Sequence, residues 1–372
     1  MKKLIPLSLI AFSSLFGESY EHYQIYKDPN TLRMGGAFIG VGGSGVAPFY
    51  NPAGLSTMIR EDGAEVKILN LSTSINDNAI DIAEDFTNLG DIEDEEEQTL
   101  EAIRITKKNI GKNNHFEFSN YSYVANNISD RYGFAIGGIA NLNADSATHR
   151  GFGSEGFATF DAIALGGAVL ALSYKMDSQL SFGLGAKYLQ YVSASETITL
   201  GKFSENRDNF DTYLEDELVE EGTSLVFDAG VLYSYSDFRV GLSALNIGGV
   251  GKEGEKTYIP ETYNIGLGYF YEFNLWYLRN VKAGFDYTDI TDEYKGSDFL
   301  KKTRVGFDAT LFDTSLLTLK TGAGMYQGYP TAGVDLRLTI VEISFLTYAE
   351  EIGAYSGQKE DRRYLLNLSI GW

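Results

Sequence analysis

The residue types that usually carry out chemistry are few and scattered in this chain. Its three histidines, His22, His115 and His149, do not fall at a metal-binding spacing, and no G-x-S-x-G nucleophile elbow occurs. The acidic run 91–97 lacks the Asp-x-Asp-x-Asp-Gly order of a calcium loop. We therefore expect no enzymatic activity, no metal centre and no cofactor, and we interpret His115 as a rim residue.

A glycine motif in the N-terminal region imitates a nucleotide site. Residues 40–45 satisfy G-x-G-x-x-G, and Asp62 follows about twenty residues later. Pro48 and Pro52 prevent the helix that must follow such a loop, because proline blocks a helix interior. The pattern therefore does not predict nucleotide binding.

The first residues have the features of a secretory signal. Lys2 and Lys3 precede an apolar stretch at 4–16, and small or polar residues follow at 17–19. We predict a signal peptide over residues 1–17, with a cut after Ser19 as the alternative. The chain has no Cys, which excludes a lipoprotein anchor and a disulfide scaffold.

The charge is strongly negative and localised. The formal net charge is −21, which argues against nucleic acid as a partner. Residues 74–112 carry 11 acidic and 4 basic side chains, and residues 199–222 carry 8 and 2. Such runs are typical of solvated loops.

Strand patterns continue from about residue 64 to the C-terminus. Apolar residues at 281, 283, 285 and 287 alternate with polar residues or glycine, and the same alternation recurs at 304–311 and 332–338. This favours a fourteen-stranded antiparallel transmembrane β-barrel in the outer membrane of a Gram-negative cell. The predicted strands lie near 64–73, 114–126, 130–141, 157–173, 178–198, 222–235, 237–247, 261–272, 278–289, 301–312, 315–325, 330–339, 341–351 and 362–372.

The connections between these strands alternate in length. Those after even-numbered strands are short, as periplasmic turns are, and those after odd-numbered strands are mostly long, as extracellular loops are. The first long loop has helical spacing at Ile82, Phe86 and Leu89 and a second stripe at Leu100, Ile103 and Ile110, which predicts two short helices. The 199–222 loop has a further candidate helix at 213–218. Trp372 ends an alternating apolar series that resembles the signal read by barrel-assembly machinery.

The polar face of the strands predicts a charged lumen. Paired ladders that stiffen the wall are the first interpretation, and a channel for charged solutes is the alternative. Six basic and five acidic residues face inward by alternation: Lys187, Asp228, Arg239, Lys282, Asp286, Arg304, Asp308, Asp335, Arg337, Glu342 and Arg363.

A barrel of this width needs something in its lumen, since about eight strands already suffice for the side chains to fill the interior. Residues 18–63 are rich in glycine and lack a strand pattern, so we predict a plug over 18–63 and a barrel over 64–372. The stretch 33–55, with Asn51-Pro52-Ala53-Gly54 near its end, resembles the hatch of the FadL/TodX family of outer-membrane transporters.

The resemblance implies passive transport of hydrophobic molecules, such as long-chain fatty acids or hydrocarbons, with lateral release through a kinked strand. Asn51 to Gly54 would then form a gate or simply fold the plug. Gly137 and Gly138 are candidates for the kink. The ligand-pocket candidates are Phe38, Phe49, Tyr50 and Leu189.

The partners expected on this interpretation are outer-membrane lipid, a hydrophobic ligand and the barrel-assembly machinery, with the protein a monomer. Branches that share the hatch signature of the resembled family include proteins linked to secretion or conjugation. The alternative function is therefore a barrel that does not transport and acts as an anchor or partner in secretion or surface assembly. The acidic loops disfavour the capture of fatty-acid anions.

Overall fold

Fourteen strands close into one antiparallel barrel, which confirms the predicted fold. The computed structural model describes residues 21–58, 63–90, 92, 94–148, 158–198, 219–253, 256–294 and 297–372. The predicted signal peptide, His149 and the candidate helix at 213–218 lie outside these residues. The barrel strands are β1 Glu65–Asn76, β2 Asn113–Asn127, β3 Tyr132–Thr148, β4 Ala158–Lys175, β5 Leu180–Ile198, β6 Val219–Tyr235, β7 Phe238–Ile247, β10 Thr262–Leu275, β11 Leu278–Tyr287, β12 Thr303–Asp313, β13 Leu317–Tyr326, β14 Tyr329–Leu338, β15 Val341–Glu351 and β16 Glu360–Gly371. Their order around the barrel is β1-β16-β15-β14-β13-β12-β11-β10-β7-β6-β5-β4-β3-β2.

The remaining elements lie in the lumen or in the long connections. The loop after β7 forms a small hairpin of β8 (Val250–Glu253) and β9 (Lys256–Ile259), which the sequence pattern did not indicate. The helices are α1 (Pro29–Arg33), α2 (Asp77–Gly90) and α3 (Glu95–Lys108). No helix in the described part of the chain is long and apolar enough to cross a bilayer.

Helices α2 and α3 occupy the loop between β1 and β2, as predicted. Ile82 of α2 is buried, as its stripe requires. The stripe assigned to the second helix is wrong, because Leu100 is 63% exposed whereas Ile105 is 1% exposed. In α3, Ile105 provides the buried contact, and Ile110 lies beyond the end of the helix.

Alternation decides which side of the wall each residue faces. On β2, Phe116 and Phe118 point outward and are exposed, whereas Glu117 and Ser119 point inward and are buried. Outward apolar and inward polar residues are the pattern of a membrane barrel, since only the outer face meets lipid. The core therefore lies between the inner face of the wall and the N-terminal residues.

The wall closes between the first and last strands. The N–H of Val66 donates to the carbonyl of Trp372 at 2.7 Å, and the N–H of Trp372 donates to that of Val66 at 2.9 Å. The terminal aromatic residue therefore takes part in the closing seam.

The strand is regular at Gly137 and Gly138, the candidate kink residues. Both residues stay paired with β2 and β4 without a shift in register, since glycine tolerates ordinary extended geometry as well. The register instead shifts in β1 between Lys67 and Leu71, where β1 has one residue more than β2. Side chains bridge this bulge, because Asn70 N–H donates to Asn120 Oδ1 at 3.0 Å.

Candidate functional site

Residues 21–58, called here the lumenal segment, lie inside the closed barrel. Their contacts reach strands around the wall, from Ala53 against Gly183 of β5 to Met34 against Gly306 of β12. Local capping folds the segment: the side chain of Asp28 accepts the N–H of Thr31 at 2.9 Å and caps α1. A segment enclosed on all sides by a hydrogen-bonded wall obstructs the lumen.

A belt of wall glycines permits the segment to approach the strands backbone to backbone. A Cβ added at Gly183 would overlap the backbone nitrogen of Ala53, and one at Gly268 or Gly306 would overlap a carbonyl of the segment. Only glycine leaves room for such contact. This glycine belt comprises Gly183, Gly230, Gly241, Gly266, Gly268, Gly284, Gly306 and Gly324, on the seven neighbouring strands from β5 to β13.

The Asn51-Pro52-Ala53-Gly54 motif is held against this belt. Asn51 Nδ2 donates to the carbonyls of Ile39 at 3.0 Å and Val231 at 3.1 Å, and its Oδ1 accepts the N–H of Ala53 at 3.1 Å. Asn51 is 1% exposed. The motif thus caps a 3₁₀ turn at Pro52–Thr57 and ties the segment to β6, and this geometry favours a structural role over a gate.

A buried ion network fixes the start of the segment near the end of the barrel that carries the long loops. Arg363 of β16 forms a bidentate pair with Glu21 at 2.8 and 2.6 Å. Lys27 lies 2.9 Å from Glu350 of β15, 3.3 Å from Glu21 and 3.4 Å from Glu117 of β2. We call these five residues the outer ion network, and they tie the segment to three strands.

The two members of the network that the lumenal segment contributes, Glu21 and Lys27, are held in their charged forms. Burial alone would raise the pKa of Glu21, yet Arg363 and Lys27 hold that pKa well below its usual range. Burial alone would lower the pKa of Lys27, yet Glu117 and Glu350 raise it well above its usual range. Removing one member of such a set would leave uncompensated charge in a dry site.

His115 is not at the rim, contrary to the sequence interpretation. It faces the lumen, is fully buried, and its Nδ1 lies 3.1 Å from Asp145 of β3. Among the described residues, Glu21, His115 and Asp145 are close enough to share a metal ion. Arg363 already pairs with both carboxylates, so the site holds a guanidinium where a cation would have to bind.

The inward charges predicted from alternation all face the lumen, and several bind the segment or each other. Arg33 pairs with Asp308 at 2.7 Å, and Asp286 accepts the N–H groups of Phe38 and Ile39 at 2.6 and 2.9 Å. Lys187 and Asp228 pair at 2.6 Å. Arg304, Asp335 and Arg337 contact, in turn, the Tyr326 ring at 4.0 Å, Ser344 at 2.7 Å and Thr318 at 2.7 Å.

The proposed ligand-pocket residues pack together instead of lining an open apolar space. Phe38, Phe49, Tyr50 and Leu189 belong to one buried cluster of aromatic and aliphatic side chains. Phe49 and Tyr50 also border a cavity of about 90 Å³, which Lys187, Asp286 and Arg304 border from the wall. This cavity has room for a few water molecules or one small ligand.

A much larger recess opens at the end of the barrel that carries the short turns. Its volume is about 1000 Å³, and the lumenal segment forms its floor at Val41–Gly43 and Thr57–Met58. Five basic side chains and three aromatic ones line it, together with Glu65, Glu272 and Asp313. We call this recess the vestibule; a polar cavity of about 250 Å³ extends from it toward Asn70 of β1.

The sequence patterns did not predict that the charged residues assemble into the outer ion network and the vestibule. The alternation on β2 does place Glu117 on the same face as His115, so a partner for an inward carboxylate was detectable. No local pattern shows that Glu21 and Lys27 converge with Glu350, because Glu350 lies near the other end of the chain. The vestibule depends on where the lumenal segment ends, which the motif does not specify.

Two comparisons relate the chain to known proteins. Residues 166–324, from β4 to β13 and less than half of the chain, match the family model described as "Type IX secretion system membrane protein PorP/SprF". Comparison with curated proteins gives no match.

The solved structures that resemble the chain do so over nearly its full length. One is the TodX deltaS2S3 mutant monoaromatic hydrocarbon channel, with a TM-score of 0.54 at 11% identity over 94% of this chain and 98% of that one. The Ralstonia pickettii toluene transporter TbuX has a TM-score of 0.51 at 12% identity, over 93% of this chain and 98% of that one. A Pseudomonas aeruginosa FadL homologue has a TM-score of 0.51 at 10% identity, over 95% of this chain and 99% of that one. At these identities the likeness establishes the fold, which is that of FadL-type outer-membrane barrels.

Proposed function

We propose that the protein is an outer-membrane barrel, closed by its own N-terminal segment, that serves as a membrane component of a secretion or surface-assembly machinery. The observation that carries this proposal is the way in which the lumenal segment is held. The outer ion network, the Arg33–Asp308 pair and the glycine belt fix it to the wall around the lumen. A barrel closed in this way suits a protein that binds partners better than one that conducts solutes.

The lining of the spaces that remain supports the same conclusion. A hydrophobic molecule needs an apolar passage, because its transfer past charged groups loses the favourable burial of apolar surface. The vestibule and the cavity that extends from it are lined by charged side chains such as Arg33, Lys282 and Glu342. The packed cluster around Phe49 fills the apolar part of the lumen.

The family match points in the same direction. It runs from within β4 to within β13 and includes the whole glycine belt. In this proposal the protein is exported by its signal peptide, assembles through a C-terminal strand ending in Trp372, and resides as a monomer in the outer membrane. The long acidic loops would then face the cell surface.

A second candidate is passive transport of small hydrophobic molecules. It is favoured by the full-length structural likeness to a monoaromatic hydrocarbon channel and to a toluene transporter. The cavity of about 90 Å³ beside Phe49 and Tyr50 offers a place for one small aromatic ligand. On this candidate the lumenal segment must move for passage, which opposes the buried ion pairs that hold it.

The two candidates differ in what a deletion strain loses. We expect deletion to reduce the proteins displayed on the cell surface, measured by proteomics of material released by surface proteolysis, and to leave toluene and oleate uptake unchanged. Complementation should restore the surface proteins. Native mass spectrometry of the purified full chain should show no retained hydrophobic ligand. Lost uptake with normal surface display, or a retained hydrophobic ligand, would instead establish transport.

A further inference from the structure

The wall of the vestibule carries an arc of basic side chains, in a chain whose net charge is −21. They lie on neighbouring strands of one side of the barrel, from β7 through β11 and β13 to β14. The five residues are Arg239, Arg279, Lys282, Lys320 and Arg337. This cationic arc faces the lumen at the end with short turns, which is the periplasmic end of such barrels.

Three of these five cations have no carboxylate partner among the described residues. The Nζ of Lys320 lies 4.0 Å from the carboxylate of Asp335, and the guanidinium of Arg337 lies 3.5 Å from the carboxylate of Asp313. No such ion pair includes Arg239, Arg279 or Lys282 within the part of the chain that the structure describes. The cationic arc therefore retains an excess of positive charge inside a recess with low-dielectric walls, where the field on a mobile anion is focused.

The lumenal segment itself explains why Lys282 is left without a partner. Its cross-strand neighbour on β12 is Asp308, but Arg33 of the segment already pairs with that carboxylate at 2.7 Å. Glu65, another acid of the vestibule, accepts the hydroxyl of Ser44 at 3.0 Å and the N–H of Gly45 at 2.8 Å. Arg33 thus neutralises the carboxylate that would otherwise pair with Lys282, and the vestibule keeps five basic side chains against three acidic ones.

One aromatic ring lies close to two of the three cations that have no carboxylate partner. The Nζ of Lys282 is 5.8 Å from the centroid of the Phe270 ring, and the guanidinium carbon of Arg239 is 6.0 Å from it. Both cations are therefore within cation–π range of the same ring. Two cations held in this way present a preformed surface to an anionic chain with apolar side groups.

The length of the cationic arc favours an extended ligand over a small one. From Arg239 on β7 to Arg337 on β14 the wall crosses five strand gaps, which at about 4.8 Å each is roughly 24 Å. A phosphate group or a single lipid headgroup spans only a fraction of that length. An extended peptide of about seven residues covers it, since a strand rises about 3.4 Å per residue.

We propose that the vestibule binds an extended acidic peptide segment of a periplasmic partner protein. Carboxylates at alternate positions of such a peptide would reach Arg239, Lys282 and Arg279 from the periplasm without the lumenal segment moving. The proposal supplies the partner chemistry of the secretion role and rests on that role only for the existence of a partner. Peptide binding is measured on the isolated protein, so its failure leaves the closed barrel and its cellular role to be judged separately.

The test uses the purified full-length protein in lipid nanodiscs and a fluorescein-labelled peptide of alternating Glu and Ser, ten residues long. Fluorescence anisotropy should show saturable binding that weakens as salt rises, because the attraction is screened. The triple variant Arg239→Gln/Arg279→Gln/Lys282→Gln should bind at least tenfold more weakly. A control variant with the same charge change, Lys107→Gln/Lys112→Gln/Arg131→Gln, should bind as the parent protein does.

Binding measurements with other ligands and with one further variant identify the class of ligand. A Gln-Ser peptide and a Lys-Ser peptide should not bind, and inorganic phosphate at millimolar concentration should not displace the Glu-Ser peptide. The variant Glu272→Gln, which removes an acid that lines the vestibule, should bind the peptide as well as the parent protein or more tightly. The proposal is overturned if the triple variant binds normally, if phosphate displaces the peptide fully, or if Glu272→Gln abolishes binding.

Discussion

The outer and inner ends of the lumen carry charge in opposite ways. In the outer ion network every cation is matched, with Arg363 bound to Glu21 and Lys27 among three carboxylates. In the vestibule, Arg239, Arg279 and Lys282 line an open recess without a carboxylate partner among the described residues, although Arg239 donates to the carbonyl of Val41. The lumenal segment separates the two, so one barrel contains a sealed half that holds its shape and an open half with charge available to a partner.

This contrast predicts its largest effect at Arg363. The substitution Arg363→Met removes the cation that pairs with Glu21 and Asp361 in a fully buried site. We expect a loss of roughly 3–5 kcal/mol in the free energy of unfolding, because the carboxylates are left without compensation. Urea denaturation of the protein in detergent, followed by tryptophan fluorescence, measures this loss.

The adjacent arginine supplies the control. Arg362 is partly exposed and pairs with Glu360 near the rim. Arg362→Met should therefore cost less than about 1 kcal/mol, as an exposed ion pair does. Equal losses for the two arginines would show that the outer ion network has no special role in stability.

The glycine belt predicts the next largest effect. Gly306→Ala places a Cβ against the carbonyl of Met34, so either the wall or the lumenal segment must shift. We expect a loss of up to about 3 kcal/mol, the usual range for overpacking. The displaced segment should also raise the single-channel conductance in planar bilayers.

Gly138→Ala is the matched control for the glycine belt. A Cβ there would lie 3.8 Å from the carbonyl oxygen of Gly167, which is ordinary contact. Its conductance and stability should stay at the parent values. A closed, equally stable Gly306→Ala channel would mean that the segment is not seated on the wall as described.

The sequence predicted the wall far better than it predicted the lumen. Alternation is a local property of each strand, so fourteen strands, their short turns and inward residues such as Asp286 and Arg363 followed from it. The outer ion network joins residues 21 and 363, and no local pattern records that proximity. The sequence also could not show whether the strand is kinked or regular at Gly137 and Gly138, because glycine permits both.

Asp28 gives a smaller, pH-dependent effect within the lumenal segment. Burial raises its pKa to about 6, although hydrogen bonds from Thr31 lower it and Glu65 and Glu342 raise it further. The folded pKa exceeds the unfolded value of about 3.9, so the contribution of Asp28 to folding stability is most favourable at low pH and falls as the pH rises from about 4 to 6. Asp28→Asn should lack this decline.

The expected difference for Asp28→Asn is about 1 kcal/mol at pH 7, less than linkage alone allows, because Asp28 also borders the polar cavity of about 250 Å³. Unfolding midpoints at pH 4.5, 5.5 and 7 for both proteins isolate the contribution of Asp28 from other titrating groups. Parallel pH profiles for the two proteins would contradict the raised pKa.

The smallest expected effect is at Lys282, and it defines the open half of the lumen. Because Lys282 has no carboxylate partner among the described residues, Lys282→Gln should change the free energy of unfolding by no more than about 0.5 kcal/mol. Lys187→Gln is the matched comparison, since this lysine is fully buried and 2.6 Å from Asp228, and its loss should cost several times more. If Lys282→Gln destabilised the protein as much as Lys187→Gln, Lys282 would be part of the scaffold. A neutral result leaves its charge available to a ligand.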